Sequence, residues 1–166
     1  MIKLQNILVP TDFSECSDAA LRYGLELARA FNATLHVVHV VQDPYTQPWA
    51  AEAFPAAIGD LLTDWQKQSE TRLLDSIPVA DRRRVKVSCA IASPYGEILR
   101  YAVHDKIDLI VMGTHGRGPL AHMLLGSVAE KVVRRAPCPV LTVRHPQHDF
   151  VDEPAHAATT ASAGSR

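Results

Sequence analysis

Four of the chain's eight glycines fall within residues 113–127, GTHGRGPLAHMLLGS: Gly113, Gly116, Gly118 and Gly126. Glycine weakens helices and strands, so it is concentrated where the backbone needs unusual dihedrals or must come very close to another group. Phosphate is the chemistry that such a backbone serves best, and three phosphate-loop patterns can be laid on the segment. The Walker pattern finds Gly113 and Gly118 at the correct separation, but Pro119 and Leu120 stand where it needs lysine and a hydroxyl. The dinucleotide pattern GxGxxG/A matches residues 116–121, yet Pro119 lies inside its turn and no acid follows about 20 positions on to hold a ribose. The third pattern is Gly113-x-x-Gly116, nine residues, then Gly126-Ser127. In it, Gly113 and Gly116 leave backbone amides open to an anion. Gly126-Ser127 begins a helix whose free N–H groups, positive dipole end and Ser127 hydroxyl favour phosphate. The competing structural explanation is that Gly113 and Gly126 permit tight turns and Ser127 only caps a helix.

These residues must be positioned by the elements around them. Residues 4–9 read as a strand ended by Pro10-Thr11-Asp12. Ser14 is placed to cap a helix that Asn32 stops, and residues 33–41 form a second, almost wholly apolar strand. Residues 42–58 carry three prolines and read as an irregular excursion, in which Tyr45, Trp49 and Phe54 suggest a local hydrophobic cluster or a lid. A helix resumes from about 60 to 76, with Leu61, Trp65, Leu73 and Leu74 among its apolar positions. A strand at 84–92, a helix at 93–105 opened by Ser93-Pro94, a strand at 107–113, a helix at 127–136 and a strand at 139–143 complete the pattern. Near-continuous apolar strands alternating with helices predict an open, doubly wound, five-stranded parallel α/β sheet with helices on both faces. In such a sheet, ligands sit beyond the carboxyl ends of the strands, where strand order reverses, and the glycine segment lies at one of those ends.

Residues 112–143, MGTHGRGPLAHMLLGSVAEKVVRRAPCPVLTV, resemble the signature end of the universal stress protein family, and ILVPTDFS at 7–14 resembles its first strand and loop. The likeness spans roughly residues 1–144. It implies a Rossmann-like, adenine nucleotide alpha hydrolase-like fold with strand order 3-2-1-4-5. G-x2-G-x9-G-[ST] is the pattern of the ATP-binding branch, and every required position is kept. By that resemblance, Gly113, Gly116, Gly126 and Ser127 meet the phosphates and ribose, with Val128 beside the phosphate contact and Met112 also among the cofactor-binding residues. Asp12 lies against the nucleoside, while Pro10, Thr11 and Val40 wall the adenine pocket. His115 and Arg117 sit inside the loop and could add charge near a γ-phosphate, Arg117 being the better suited because a guanidinium matches phosphate oxygens; for His115 the alternative is simple exposure. For Asp12 the alternative is a turn-forming residue that caps the next helix, and for Val40 it is ordinary strand core. The resemblance also implies a homodimer joined through the last strand, Pro139, Val140, Leu141, Thr142 and Val143, whose bare edge would otherwise invite aggregation.

The rest of the chain limits the alternatives. A formal net charge of −1 offers no general attraction to nucleic acid or anionic lipid, and Arg82-Arg83-Arg84 reads as a solvated turn. Cys16, Cys89 and Cys138 are few, odd in number and without metal-ligand spacing, which favours a reducing, cytoplasmic compartment. The N-terminus lacks a signal-peptide pattern, and no run approaches the roughly 20 apolar residues of a membrane span. His36 and His39 read as packed polar residues, and His122 has no evident partner. Residues 145–166, with His145, His148 and His156 irregularly spaced, are expected to be a disordered tail. No metal site is expected of the protein itself. The leading expectation is therefore a cytoplasmic ATP-binding regulatory protein of the stress response, with Mg2+ or Mn2+ accompanying the nucleotide. The alternatives are a slow ATP-hydrolysing or nucleotidyl-transferring enzyme, and a dimeric interaction module with a vestigial pocket. The glycine loop lacks a lysine and no carboxylate pair is convincingly spaced, which favours binding over turnover.

Overall fold

A computed structural model of the chain describes residues 2–42, 58–115 and 125–144. The strands are β1 (Asn6–Thr11), β2 (Thr34–Gln42), β3 (Val85–Ala92), β4 (Leu109–Gly113) and β5 (Val140–Val143). The helices are α1 (Glu15–Phe31), α2 (Ile58–Asp75), α3 (Pro94–His104) and α4 (Ser127–Arg135), with a short 3-10 turn at Val79–Asp81. All strand pairs are parallel and the order is β3-β2-β1-β4-β5. The expected five-stranded Rossmann-like sheet is the observed one. The excursion at 43–57, with Tyr45, Trp49 and Phe54, and the tail at 145–166 lie outside the described residues.

Strand periodicity divides the core in two. Ile7, Val9, Leu35, Val37, Val111 and Val143 face one side, where they meet α1, Leu73 of α2 and Ile77 just beyond that helix. Leu8, Val38, Val40, Ile110 and Met112 face the other, against Ile98 and Ala102 of α3 and Ala129 and Val132 of α4. The central strands are buried on both faces, which is why their sequences are almost unbroken apolar runs.

The first strand runs two residues later than expected and passes through Pro10. Hydrogen-bond parity explains how. In a parallel strand, alternate residues present their backbone groups to opposite neighbours. The Gln5 carbonyl accepts from Thr34 of β2 at 2.8 Å, whereas the Asn6 carbonyl accepts from Asp108, leading into β4, at 2.9 Å. Even-numbered positions therefore face β4. That strand pairs with β1 only at Ile7 and Leu8, so the missing N–H of Pro10 falls where β4 has already turned away. The same divergence opens a crevice between β1 and β4, the point at which the chain changes direction across the sheet.

Helix α1 is anchored at both ends. The Ser14 side chain accepts from Ser17 N–H at 3.3 Å, and Asn32 closes the other end in the left-handed region at φ 51°. The helix lies very close to the sheet: a Cβ on Gly24 would stand 2.4 Å from Val9 Cγ2. In α2 the buried positions are Leu62 and Leu73, while Leu61, Trp65 and Leu74 are exposed. The expected apolar face is thus rotated, because α2 meets the sheet along the 62–73 line. Ser93 precedes α3 without a side-chain cap bond, and Pro94 with its preset φ opens the helix.

Candidate functional site

At the carboxyl edge of the sheet lies a cleft of about 770 Å3, well within the range of small-molecule sites. Ten of the twelve residues singled out in the sequence line it: Pro10, Thr11, Asp12, Val40, Met112, Gly113, His115, Gly126, Ser127 and Val128. They come from four segments and are brought together at the β1–β4 divergence. Gly116 and Arg117 lie outside the described residues, as do Gly118 and His122. The floor on the α3–α4 side is apolar, made by Val38, Val40, Ile98 and Met112, all buried.

The turn after β1 is held by a chain of hydroxyls. Ser17 Oγ donates to the Ser14 carbonyl at 2.9 Å, so its single proton is committed. The 3.0 Å contact between Thr11 Oγ1 and Ser17 Oγ is then a bond donated by Thr11, whose oxygen also accepts from Phe13 N–H at 3.0 Å. Asp12 Oδ1 accepts from Ser14 N–H at 3.1 Å, closing an Asx turn. Asp12 therefore does shape the turn into α1, and it does so while lining the cleft. Phe13 adopts φ 62°, unusual for a residue with a side chain, and its ring stands 4.5 Å from that of His39. His39 lies opposite Thr11 and its Nδ1 donates to the Thr11 carbonyl at 2.8 Å, which fixes the proton on that nitrogen. The expectation of packed histidines fits His36 best: it is 1 % exposed, and burial lowers its pKa below the ordinary range. A neutral His36 accepts from the Tyr101 hydroxyl at 3.0 Å through Nδ1 and donates to Asn6 Oδ1 at 3.3 Å through Nε2.

On the other side of the crevice the glycines separate by role. A Cβ on Gly113 would meet the backbone carbon and Cβ of Cys16 at 2.9 Å and its carbonyl oxygen at 3.0 Å. Gly113 is therefore required by the close approach of α1 to β4. Gly126 has φ −69° and ψ 159°, which any residue adopts, so no tight turn demands a glycine there. Its N–H donates to the Thr114 carbonyl at 2.7 Å, and Thr114 N–H donates to Val143 at 2.8 Å. Thr114, buried and unmarked by the sequence reading, thus ties the two ends of the 115–125 loop to each other and to β5. Thr114 Oγ1 also lies 3.0 Å from His115 Nδ1. With the Gly126 amide committed, the groups at the start of α4 that remain to face the cleft are those of Ser127, Val128 and Ala129. No side chain caps this helix. Amides and a hydroxyl at an uncapped helix N-terminus attract an anion.

The sequence reading also missed the wall contributed by α2: Trp65, Gln68, Ser69 and Arg72. Their spacing of three, four and seven is a single helical stripe, a legible signal, of which the apolar pattern alone marks only Trp65. The Arg72 guanidinium lies over the Phe13 ring, 4.2 Å from its centroid. Among the described residues no group of His, Cys, Asp and Glu is arranged to hold a metal ion, and no helix is long and apolar enough to cross a membrane.

The profile of the universal stress protein family matches residues 3–144. The chain is 34% identical over 147 residues to the universal stress protein MJ0531 of Methanocaldococcus jannaschii, covering 87% of this chain and 85% of that one. It superposes on the universal stress protein UspA of Lactobacillus plantarum with a TM-score of 0.61 at 30% identity, covering 87% of this chain and all of the other. A universal stress protein in complex with cAMP shares the fold, with a TM-score of 0.57 at 24% identity over 86% of this chain and 98% of that one.

Proposed function

The chain belongs to the universal stress protein family, and we propose that it is a nucleotide-binding member, a cytoplasmic regulatory protein of the stress response that holds ATP in the cleft between β1 and β4. The observation that carries this reading is the pairing of an apolar floor with an uncapped helix N-terminus across one crevice. Val38, Val40 and Met112 suit an adenine ring, and the amides of Ser127 and Val128 with the Ser127 hydroxyl suit phosphate oxygens. Gly126, whose backbone conformation needs no glycine, is then explained by the approach of the phosphate chain. A relative with this fold was solved with an adenine nucleotide, cAMP, which agrees with the assignment. In this reading Gly116 and Arg117 complete the phosphate contacts, Asp12 lies against the nucleoside, and Mg2+ or Mn2+ accompanies the triphosphate.

We infer binding rather than turnover. Asp12 is the one carboxylate among the described lining residues, and part of its accepting capacity already serves the Ser14 amide. Occupancy then acts through the turn into α1 and the loop tied by Thr114. A homodimer through residues 139–143 accompanies this reading, since β5 is a sheet edge on which Leu141 remains 39% exposed. The three free cysteines suit a reducing compartment.

Denaturing the purified protein and analysing the supernatant should release adenine nucleotide, approaching one per chain. Absence of any released nucleotide, together with no calorimetric signal on adding ATP and Mg2+, would refute the proposal. Gly126→Val should abolish binding with the far-ultraviolet circular dichroism unchanged, because the backbone there accommodates valine and only the approach to the helix N-terminus is obstructed.

A further inference from the structure

The cleft draws its lining from both faces of the sheet. Strand parity divides its lining into two lobes. Val38, Val40 and Met112 point toward α3 and α4. Phe13 packs with the opposite core, against α1 and α2, and His39 shares the parity of Val37 on that same face. Over this second lobe stands the α2 stripe of Trp65, Gln68, Ser69 and Arg72. Asp12, in the turn that carries Phe13, is the one carboxylate among the described lining residues, and among the described residues no ion pair joins an acid to Arg72. Instead the guanidinium lies over the Phe13 ring, which holds the cation at the lobe. Trp65 presents an indole that is 44% exposed one turn and more along the same stripe, with the Ser69 hydroxyl and Gln68 amide between. A preorganised cation, two neutral polar groups and an exposed aromatic in one concavity make a recognisable ligand set.

We propose that the α2 lobe is a second ligand site, distinct from the Ser127–Val128 end, for a small anion carried on a planar aromatic body. Arg72 holds the anion through its N–H edge, Ser69 and Gln68 supply further hydrogen bonds, and Trp65 stacks on the plane. The lobe shares no side chain with the apolar floor.

The probe is 1-naphthyl phosphate, titrated into isotopically labelled full-length protein and followed by two-dimensional amide spectra, with 1-naphthol as the uncharged control. Amides of Gln68, Ser69 and Arg72 should shift along one saturable isotherm. Any response at Ser127 and Val128 should follow a separate isotherm, and ATP should reach that end without displacing the probe from α2. Arg72→Gln should weaken the α2 isotherm by at least about tenfold, the loss expected for one charged hydrogen-bonding partner, and 1-naphthol should bind as weakly as the probe does to that variant. Arg72 is exposed, so the variant's own spectrum should remain native outside the lobe. Unmoved α2 amides, an Arg72→Gln variant with unchanged affinity, equal binding of 1-naphthol, or one common isotherm for α2 and Ser127–Val128 would each overturn the proposal.

Discussion

Replacing Gly113 by alanine tests whether the first glycine of the motif serves packing. The added Cβ would lie 2.9 Å from two carbons of Cys16 and 3.0 Å from its carbonyl oxygen. Comfortable carbon contacts lie near 3.5–4.0 Å, so roughly 0.6–1 Å must be found by moving one element. The obstacle is the backbone of α1's first turn, so no side-chain rotation relieves it. That helix is held by its Ser14 cap and by the close approach of Gly24 to Val9, so it yields only with distortion. Overpacking of this kind costs about 1–3 kcal/mol, and a backbone obstacle belongs in the upper half of that range. Alanine recovers about 0.4–1 kcal/mol by restricting the unfolded chain, which leaves a net destabilisation of about 2 kcal/mol. For a domain of this size that lowers the melting temperature by about 4–8 °C. Urea denaturation followed by circular dichroism, with Gly126→Ala as the comparison, measures it. Gly126→Ala should change stability by less than about 0.5 kcal/mol, since its dihedrals suit alanine. Equal small effects at both positions would refute the packing account. A shift of α1 should also carry the Asp12–Ser14 turn away from β4, so Gly113→Ala should weaken nucleotide binding as a secondary consequence of lost fit.

Three further outcomes are expected. Asp81 is almost fully buried and accepts bonds from both ends of the Arg29 guanidinium, which holds its carboxyl below the usual range. Its contribution is complete above about pH 4, where an unfolded aspartate titrates, and is lost as pH falls through its lowered native value. Asp81→Asn should therefore cost about 1–3 kcal/mol at pH 7 and flatten the acid limb of the stability curve, measured by urea midpoints. The buried neutral His36 acts at milder pH. Its native pKa is lowered by burial, so the unfolded chain binds the proton first, and stability should decline as pH drops below about 6.5; His36→Gln should remove that slope. Leu141→Asp should convert the proposed dimer to monomer by sedimentation, with the secondary structure intact, because the residue lies on the edge strand beside β4 alone. An unchanged sedimentation coefficient would show that the edge is not the interface.

Much of this protein was determined by local sequence. Near-continuous apolar runs and period-3.6 helices fix the alternating elements, because burial on both faces leaves few polar positions in a central parallel strand. Ser14 and Asn32 mark the ends of α1 through short-range bonds that the chain alone specifies. Of the residues marked by the glycine spacing and by PTDFS, Pro10, Thr11, Asp12, Phe13, Gly113, Gly126 and Ser127 line one crevice. Other properties depend on partners distant in sequence, and only the tertiary structure decided them. That Pro10 could lie inside a central strand followed from β4 diverging after Leu8, a matter of neighbours rather than of proline. That Gly113 answers to the backbone of Cys16, while Gly126 has no conformational need to be glycine, follows from how α1 lies on the sheet. Thr114 carries no chemical signature, yet its backbone groups join β5 and the start of α4. The orientation of α2, which turns Trp65 and Arg72 toward the cleft, was likewise set by which stripe met the sheet, a choice that periodicity alone leaves open.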